Sequence, residues 1–217
     1  MSKNCLLQPL AVAALFALSG ASHAALTSFA TSASFLSGLT AVGTDGFAGL
    51  SIVSTTPSPL ARATTGTVYN YSAAASSSTF FGAGTPGDPW LSTNIATDSI
   101  TFSGFSPSVR AIGANFFGSD INGTFAAGNV TISALDSLGA TLSQTITGAT
   151  VSSFLGFKST GTITSLTIAA VQGATPLWPT VDNLSLGQLA AVPEPETYAM
   201  LLAGLGVVGF MARRRRA

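Results

Sequence analysis

Between residues 25 and 191 apolar and polar residues alternate in short runs, broken by Gly, Pro, Asn and Asp. The clearest period of two is in Val130-Thr131-Ile132-Ser133-Ala134 and Thr141-Leu142-Ser143-Gln144-Thr145-Ile146, the signature of half-buried strands. Asp136-Ser137-Leu138-Gly139 lies between these two runs, with Asp and Gly placed for a hairpin turn. Further strand-like runs are Leu50–Thr55, Thr67–Ser72, Ser99–Phe105, Val109–Phe117, Ser153–Lys158, Ile163–Val171 and Val181–Leu186. No window here carries an apolar stripe of helical period. About nine or ten strands without helices predict an all-β fold, an antiparallel β-sandwich or barrel. Ser54–Pro59 and Ala83–Trp90 (AGTPGDPW) read as Pro/Gly loops, and Ser72–Thr79 (SAAASSST) as a flexible connection.

The ends follow different patterns. Met1–Ala24 places Lys3 before the apolar run Leu10–Leu18, then breaks it at Ser19-Gly20 and offers small residues at Ser22 and Ala24. This reads as a secretory signal peptide, cut by signal peptidase between Ala24 and Ala25. The chain's one Cys (Cys5) and one His (His23) would leave with it. The exported body would then hold no disulfide, no thiolate or imidazole metal ligand, and no histidine-based catalytic triad.

The last residues run Val192-Pro193-Glu194-Pro195-Glu196-Thr197, then an uncharged stretch Tyr198–Ala212, then Arg213, Arg214, Arg215 and Arg216. Two prolines fix φ and remove donors, so the first part reads as extended and accessible. Tyr198–Ala212 would span about 22 Å as a helix. That is short of a hydrocarbon core of roughly 30 Å, a gap that snorkelling arginines and a thinned bilayer close. The arginine cluster would stay cytoplasmic and stop the span, leaving everything before Tyr198 outside.

This order of Pro-Glu-Pro, one hydrophobic helix and a terminal arginine cluster resembles the PEP-CTERM sorting signal of Gram-negative bacteria. The resemblance implies passage through the inner membrane and processing by exosortase, a membrane-embedded transpeptidase-like enzyme, at Val192, Pro193, Glu194 and Pro195. The domain organisation expected is therefore signal peptide 1–24, extracellular body 25–191 and sorting signal 192–217.

Charge narrows what the body does. Arg62, Arg110 and Lys158 face Asp45, Asp88, Asp98, Asp120, Asp136 and Asp182, and there is no Glu. Whole-chain charged content is 7%, far under the roughly 25% usual for soluble domains. A sparse, mildly acidic body has no basic patch for nucleic acid. The second half, with Phe154-Leu155-Gly156-Phe157, Ile163–Ile168 and the closing Val181-Asp182-Asn183-Leu184-Ser185-Leu186, also resembles secreted jelly-roll modules. That resemblance implies a jelly-roll-like sandwich that binds sugars or calcium.

Two candidate sites follow. Asp45 and Asp182 would meet if the first and last strands pair, as a calcium site; the alternative is that each is a turn or strand-edge residue. Trp90 and Trp178, beside prolines, would serve as glycan platforms or as packed plugs of the sandwich ends. No other cofactor is expected. The function expected is a non-enzymatic surface or matrix protein associated with extracellular polysaccharide and biofilm. The alternative is a carbohydrate-active module, glycan-binding or an Asp-dependent hydrolase.

Overall fold

The computed structural model describes residues 26–77, 79–190, 200–206 and 208. Residues 23–191 form one compact unit; the other comprises 1–22 and 192–217. In the latter the described residues, 200–206 and 208, are helical. No helix among the described residues is long and apolar enough to cross a membrane; the expected span 198–212 is described only in part. The signal peptide, its Ala24–Ala25 junction, Val192–Pro195 and Arg213–Arg216 lie outside the described residues.

Among its described residues the body holds sixteen strands and one short helix in the order β1 (Leu26–Phe29), α1 (Ser32–Leu36), β2 (Leu39–Asp45), β3 (Thr55–Pro57), β4 (Leu60–Ala63), β5 (Thr65–Gly66), β6 (Asn70–Ala75), β7 (Thr79–Thr85), β8 (Asp88–Thr93), β9 (Ser99–Ser103), β10 (Ala111–Ser119), β11 (Phe125–Ala126), β12 (Gly128–Asp136), β13 (Thr141–Ala149), β14 (Phe154–Ser159), β15 (Ile163–Ala170) and β16 (Trp178–Leu189). A ten-stranded sheet runs β1-β14-β10-β16-β8-β7-β3, with β11 beside β10, β2 beside β16 and β5 beside β2. A six-stranded sheet runs β13-β12-β15-β9-β6-β4. Every pairing is antiparallel.

The alternation read from the sequence decides which face is buried. Val130, Ile132 and Ala134 on β12, Leu166 and Ile168 on β15, and Ile100 and Phe102 on β9 point inward. They meet Ile112, Ala114 and Phe116 of β10 with Val181, Leu184 and Leu186 of β16. The β12–β13 turn forms where it was expected. Asp136 Oδ1 accepts from the N–H groups of Leu138 (2.9 Å) and Ala140 (2.8 Å), and Gly139 takes φ +83°, which glycine adopts at no steric cost. Burial raises the Asp136 carboxyl, but Ser159 and these N–H donors outweigh it and hold the group below its ordinary value.

The first half departs from the expectation. AGTPGDPW is not a loop but the hairpin of β7 and β8, with Thr85 opposite Asp88 and Pro86-Gly87 as its two-residue turn. Ser72–Thr79 is not a flexible connection: Ser72 to Ala75 complete β6, which pairs with β4 and β9. Residues 50–54 lie outside strands, and pairing begins only at Thr55. Small residues score poorly as strand formers, yet here they sit at interior registers where backbone pairing and close approach replace side-chain bulk.

Helix α1 was also unforeseen. Thr31 caps it, accepting from Ser34 N at 3.2 Å, and Phe35 turns fully inward over Gly156, where a Cβ would lie 2.4 Å from its ring. Lys158 Nζ donates to the helix-end carbonyl of Ser37 at 2.6 Å and lies 4.3 Å from the Phe29 ring. Burial lowers its pKa.

Candidate functional site

Strands β2 and β16 do pair, with Asp45 opposite Leu184, so the chain brings Asp45 and Asp182 to one neighbourhood. It engages each carboxylate separately. Asp45, ending β2 in the ten-stranded sheet, accepts from Arg62 Nε (2.6 Å) and Nη2 (2.7 Å) and from the Tyr71 hydroxyl (2.7 Å). Its Oδ1 also takes the Phe47 N–H at 2.7 Å. Arg62 and Tyr71 stand opposite each other on β4 and β6 of the six-stranded sheet. This is the one salt bridge among the described residues, and it ties the two sheets together. Burial pushes the Asp45 carboxyl up, but the bonds from Arg62 and Tyr71 more than offset it, and the group lies below its ordinary value. The Tyr71 hydroxyl is pushed up, first by burial and then by the charge of Asp45.

Asp182 bonds to its own neighbour: its Oδ1 accepts from Asn183 N and its Oδ2 from Asn183 Nδ2, both at 2.7 Å. Asn183 holds φ +54°. Burial, and then the negative charge of Asp88, push the Asp182 carboxyl up to about 6 against the Asn183 N–H bond. Among the described residues no group of three or more His, Cys, Asp or Glu side chains gathers to hold a metal ion.

The two tryptophans take different positions, and neither is in a loop. Trp90 sits within β8, edge-on to Phe117 at 4.9 Å and 89°, with Nε1 donating to Asp88 Oδ2 at 3.3 Å. Its ring covers Gly84, where a Cβ would lie 2.9 Å away. Trp178 opens β16 opposite Ser119 of β10 and lines a cleft of about 200 Å³ with Phe81, Ser92, Asn94, Ser119 and Asp120. Beneath it Thr180 Oγ1 lies 2.8 Å from Ser119 Oγ and 3.2 Å from Ser92 Oγ, while Ser92 Oγ donates to Pro179 O at 3.1 Å. Asp120 accepts the N–H groups of Asn122 and Thr124, both at 2.9 Å and both on Oδ1.

Sequence reasoning had pointed to Trp178 but to none of its companions. Phe81, Ser92 and Ser119 come from three strands and share no spacing; only the pairing of β7, β8, β16 and β10 collects them. The outward face of the six-stranded sheet is a second feature without a sequence signature. Ser143, Ser133, Thr167 and Thr101 are successive partners across four strands, bonded at 2.8 Å between Ser133 and Ser143 and 3.0 Å between Thr101 and Thr167. Thr131 and Thr145 repeat the pattern at 2.9 Å. The outward positions of this row and its neighbours carry hydroxyls and methyls and no charge.

The described geometry defines an antiparallel β body with charge-free hydroxyl rows on its six-stranded sheet and an aromatic-walled cleft. The tail supplies the class: residues 191–216 match the family model of the PEP-CTERM protein-sorting motif. The chain therefore carries a PEP-CTERM sorting signal, which implies an exported, membrane-transiting precursor processed by an exosortase-like system. No curated protein and no solved structure matches the chain.

Removing the sheet-bridging carboxylate leaves the part-buried Arg62 guanidinium without its partner. Asp45→Ala is expected to cost about 3–5 kcal/mol in urea unfolding, and Asp45→Ala with Arg62→Met distinctly less than the single change. Equal losses in the two variants would refute a paired role.

Asp182 sets a pH dependence of the opposite sign to Asp45. Its folded pKa, about 6, exceeds the ordinary 3.8. Its stabilising contribution is full below that ordinary value and is lost as pH rises through 6. Asp45 and Asp136, held low, act only below about 4. Thermal melts should therefore show Tm rising from pH 7 to pH 5, and Asp182→Asn should flatten this slope. A slope that survives Asp182→Asn excludes this assignment.

Proposed function

We propose that the chain is a non-enzymatic component of the cell surface or extracellular matrix whose jelly-roll-like body holds neutral exopolysaccharide. The precursor is led out by the signal peptide ending at Ala24 and stopped in the inner membrane by the 198–212 helix and its arginines. It is then sorted through the Pro-Glu-Pro element by the exosortase-like enzyme, and the body takes its place in the biofilm.

The cleft at Trp178 carries this reading. A sugar presents an apolar ring face and a rim of hydroxyls, so a site for it needs an aromatic wall and several hydrogen-bonding groups. Trp178 and Phe81 supply the wall, and Ser92, Ser119, Asn94 and Asp120 the polar groups. The charge-free hydroxyl rows of the six-stranded sheet favour the same kind of partner, because they bond broadly without electrostatic steering. Hydrolysis of a glycosidic bond calls for two carboxyl groups flanking one position; of the residues lining this cleft, Asp120 alone is acidic.

The two tryptophans separate binding from packing. Trp178→Ala should lower retention of the body on the host's own exopolysaccharide at least tenfold with little change in melting temperature. Trp90→Ala should remove roughly 3 kcal/mol of stability and leave the retention of the folded fraction intact. Equal retention by the Trp178→Ala variant and the parent would overturn the cleft as the binding site.

Replacement of Pro193-Glu194-Pro195 by alanines tests the sorting step. The altered precursor should remain full-length in the membrane fraction, whereas the parent yields a shorter extracellular form. Identical partitioning of the two would reduce the tail to an anchor.

A further inference from the structure

We propose that β13 is a self-association edge, where a second copy of this chain adds its own β13 in antiparallel register. The terminal strands of the two sheets are unequal. β1 and β4 have four residues, β3 has three and ends at Pro57, and β5 and β11 have two each. Short strands, prolines and charges such as Arg62 on β4 are the usual means by which proteins close an edge to further pairing. β13 has nine residues, Thr141 to Ala149, without a proline or a charge. On one side it pairs with β12; on the other no strand follows among the described residues. Thr141, Ser143, Gln144, Thr145 and Thr147 are exposed.

The pattern along β13 is complementary to itself. The regular stretch is Thr141–Ile146, because the register against β12 shifts between Val130 and Gly128. Two such stretches related by a two-fold axis through Gln144 set Ser143 opposite Thr145 of the second copy and Leu142 opposite its Ile146. The outward pairs repeat the hydroxyl contacts that β13 already makes with β12, Thr145 with Thr131 and Ser143 with Ser133. The inward pairs join two residues that already pack on the core. Cross-strand Thr–Ser and aliphatic pairs are each favourable, and an isologous contact closes as a dimer. A register centred on Ser143 would instead set Leu142 against Gln144. The result is a continuous sheet of twelve strands, twice the six of one copy, with an unbroken hydroxyl face. An edge of six residues buries less than the roughly 1,200 Å² of a stable interface, so the pairing is concentration-dependent and suited to a crowded matrix.

Cross-linking of the full chain in mild detergent tests the edge. In a Cys5→Ser background, Gln144→Cys places two thiols directly opposite, at the Cα separation of an antiparallel pair, which a disulfide spans. Oxidation should give a disulfide-linked dimer from Gln144→Cys and at least tenfold less from Thr147→Cys. Adding Ser143→Lys and Thr145→Lys to Gln144→Cys should abolish the dimer by setting like charges opposite. Mixing that chain with one carrying Gln144→Cys, Ser143→Glu and Thr145→Glu should restore it. Equal cross-linking at 144 and 147, or a dimer indifferent to the lysines, overturns the proposal. Exopolysaccharide retention, read on the same lysine variant, separates the two readings. Retention without dimer leaves the cleft standing whatever the fate of the edge, and an intact dimer without retention does the reverse.

Discussion

The fold turns on the two hydrogen bonds that Asp182 makes with Asn183. β16 has β10 on one side along most of its length, but on the other side it serves two neighbours in succession. Thr180 and Val181 pair with β8, and Leu184 to Leu189 with β2. The change of partner coincides with a local irregularity. Asn183 supplies it with a left-handed backbone, held because its N–H and its amide both reach the Asp182 carboxylate. The register against β10 slips at the same place, between Gly113 and Asn115. Asn tolerates this conformation far better than a β-branched residue would. Asp182-Asn183 thus marks the point where β16 changes partner, and burial and the charge of Asp88, not the Asn183 bond, raise the Asp182 pKa.

A body with so few charges has few ways to specify its own partners, and the one ion pair among the described residues is placed where it specifies most. A buried pair contributes little net energy against its desolvation, but it penalises every arrangement that separates the partners. Asp45 comes from one sheet and Arg62 and Tyr71 from the other, so a slip of either sheet would strand a buried charge. Hydroxyls carry out the remaining polar pairing. No buried side-chain nitrogen or oxygen among the described residues lacks a hydrogen bond, as a well-determined interior requires.

The same economy shapes the outside. Trp90 and Trp178 sit in nearly equivalent sequence surroundings, each beside a proline, yet one ring is packed on Phe117 and the other lines a cleft floored by hydroxyls. Hydroxyl rows without charge line the outward face of the six-stranded sheet. The sorting signal implies that such a body belongs to an exported, membrane-transiting precursor.

The sequence alone determined the β class, the turn at Asp136–Gly139, the strands from Ser99 onward apart from β11, and the sorting tail. Each is written in local order: alternation of period two, an Asp and a Gly at fixed offsets, and three consecutive segments of distinct chemistry. It misread the first half because β6 ends on Ser and Ala, β7 carries two glycines, and the β7–β8 hairpin holds Pro86, Gly87 and Pro89, residues whose local preference is for turns or against strands. Those strands exist because neighbours on both sides pair with them, a non-local condition. The partners of Asp45, the company of Trp178 and the open edge at β13 were likewise settled only by topology. Pairing of β2 with β16 and of β4 with β6 brings Asp45 to Arg62 and Tyr71, and no spacing along the chain records which strand ends beside which.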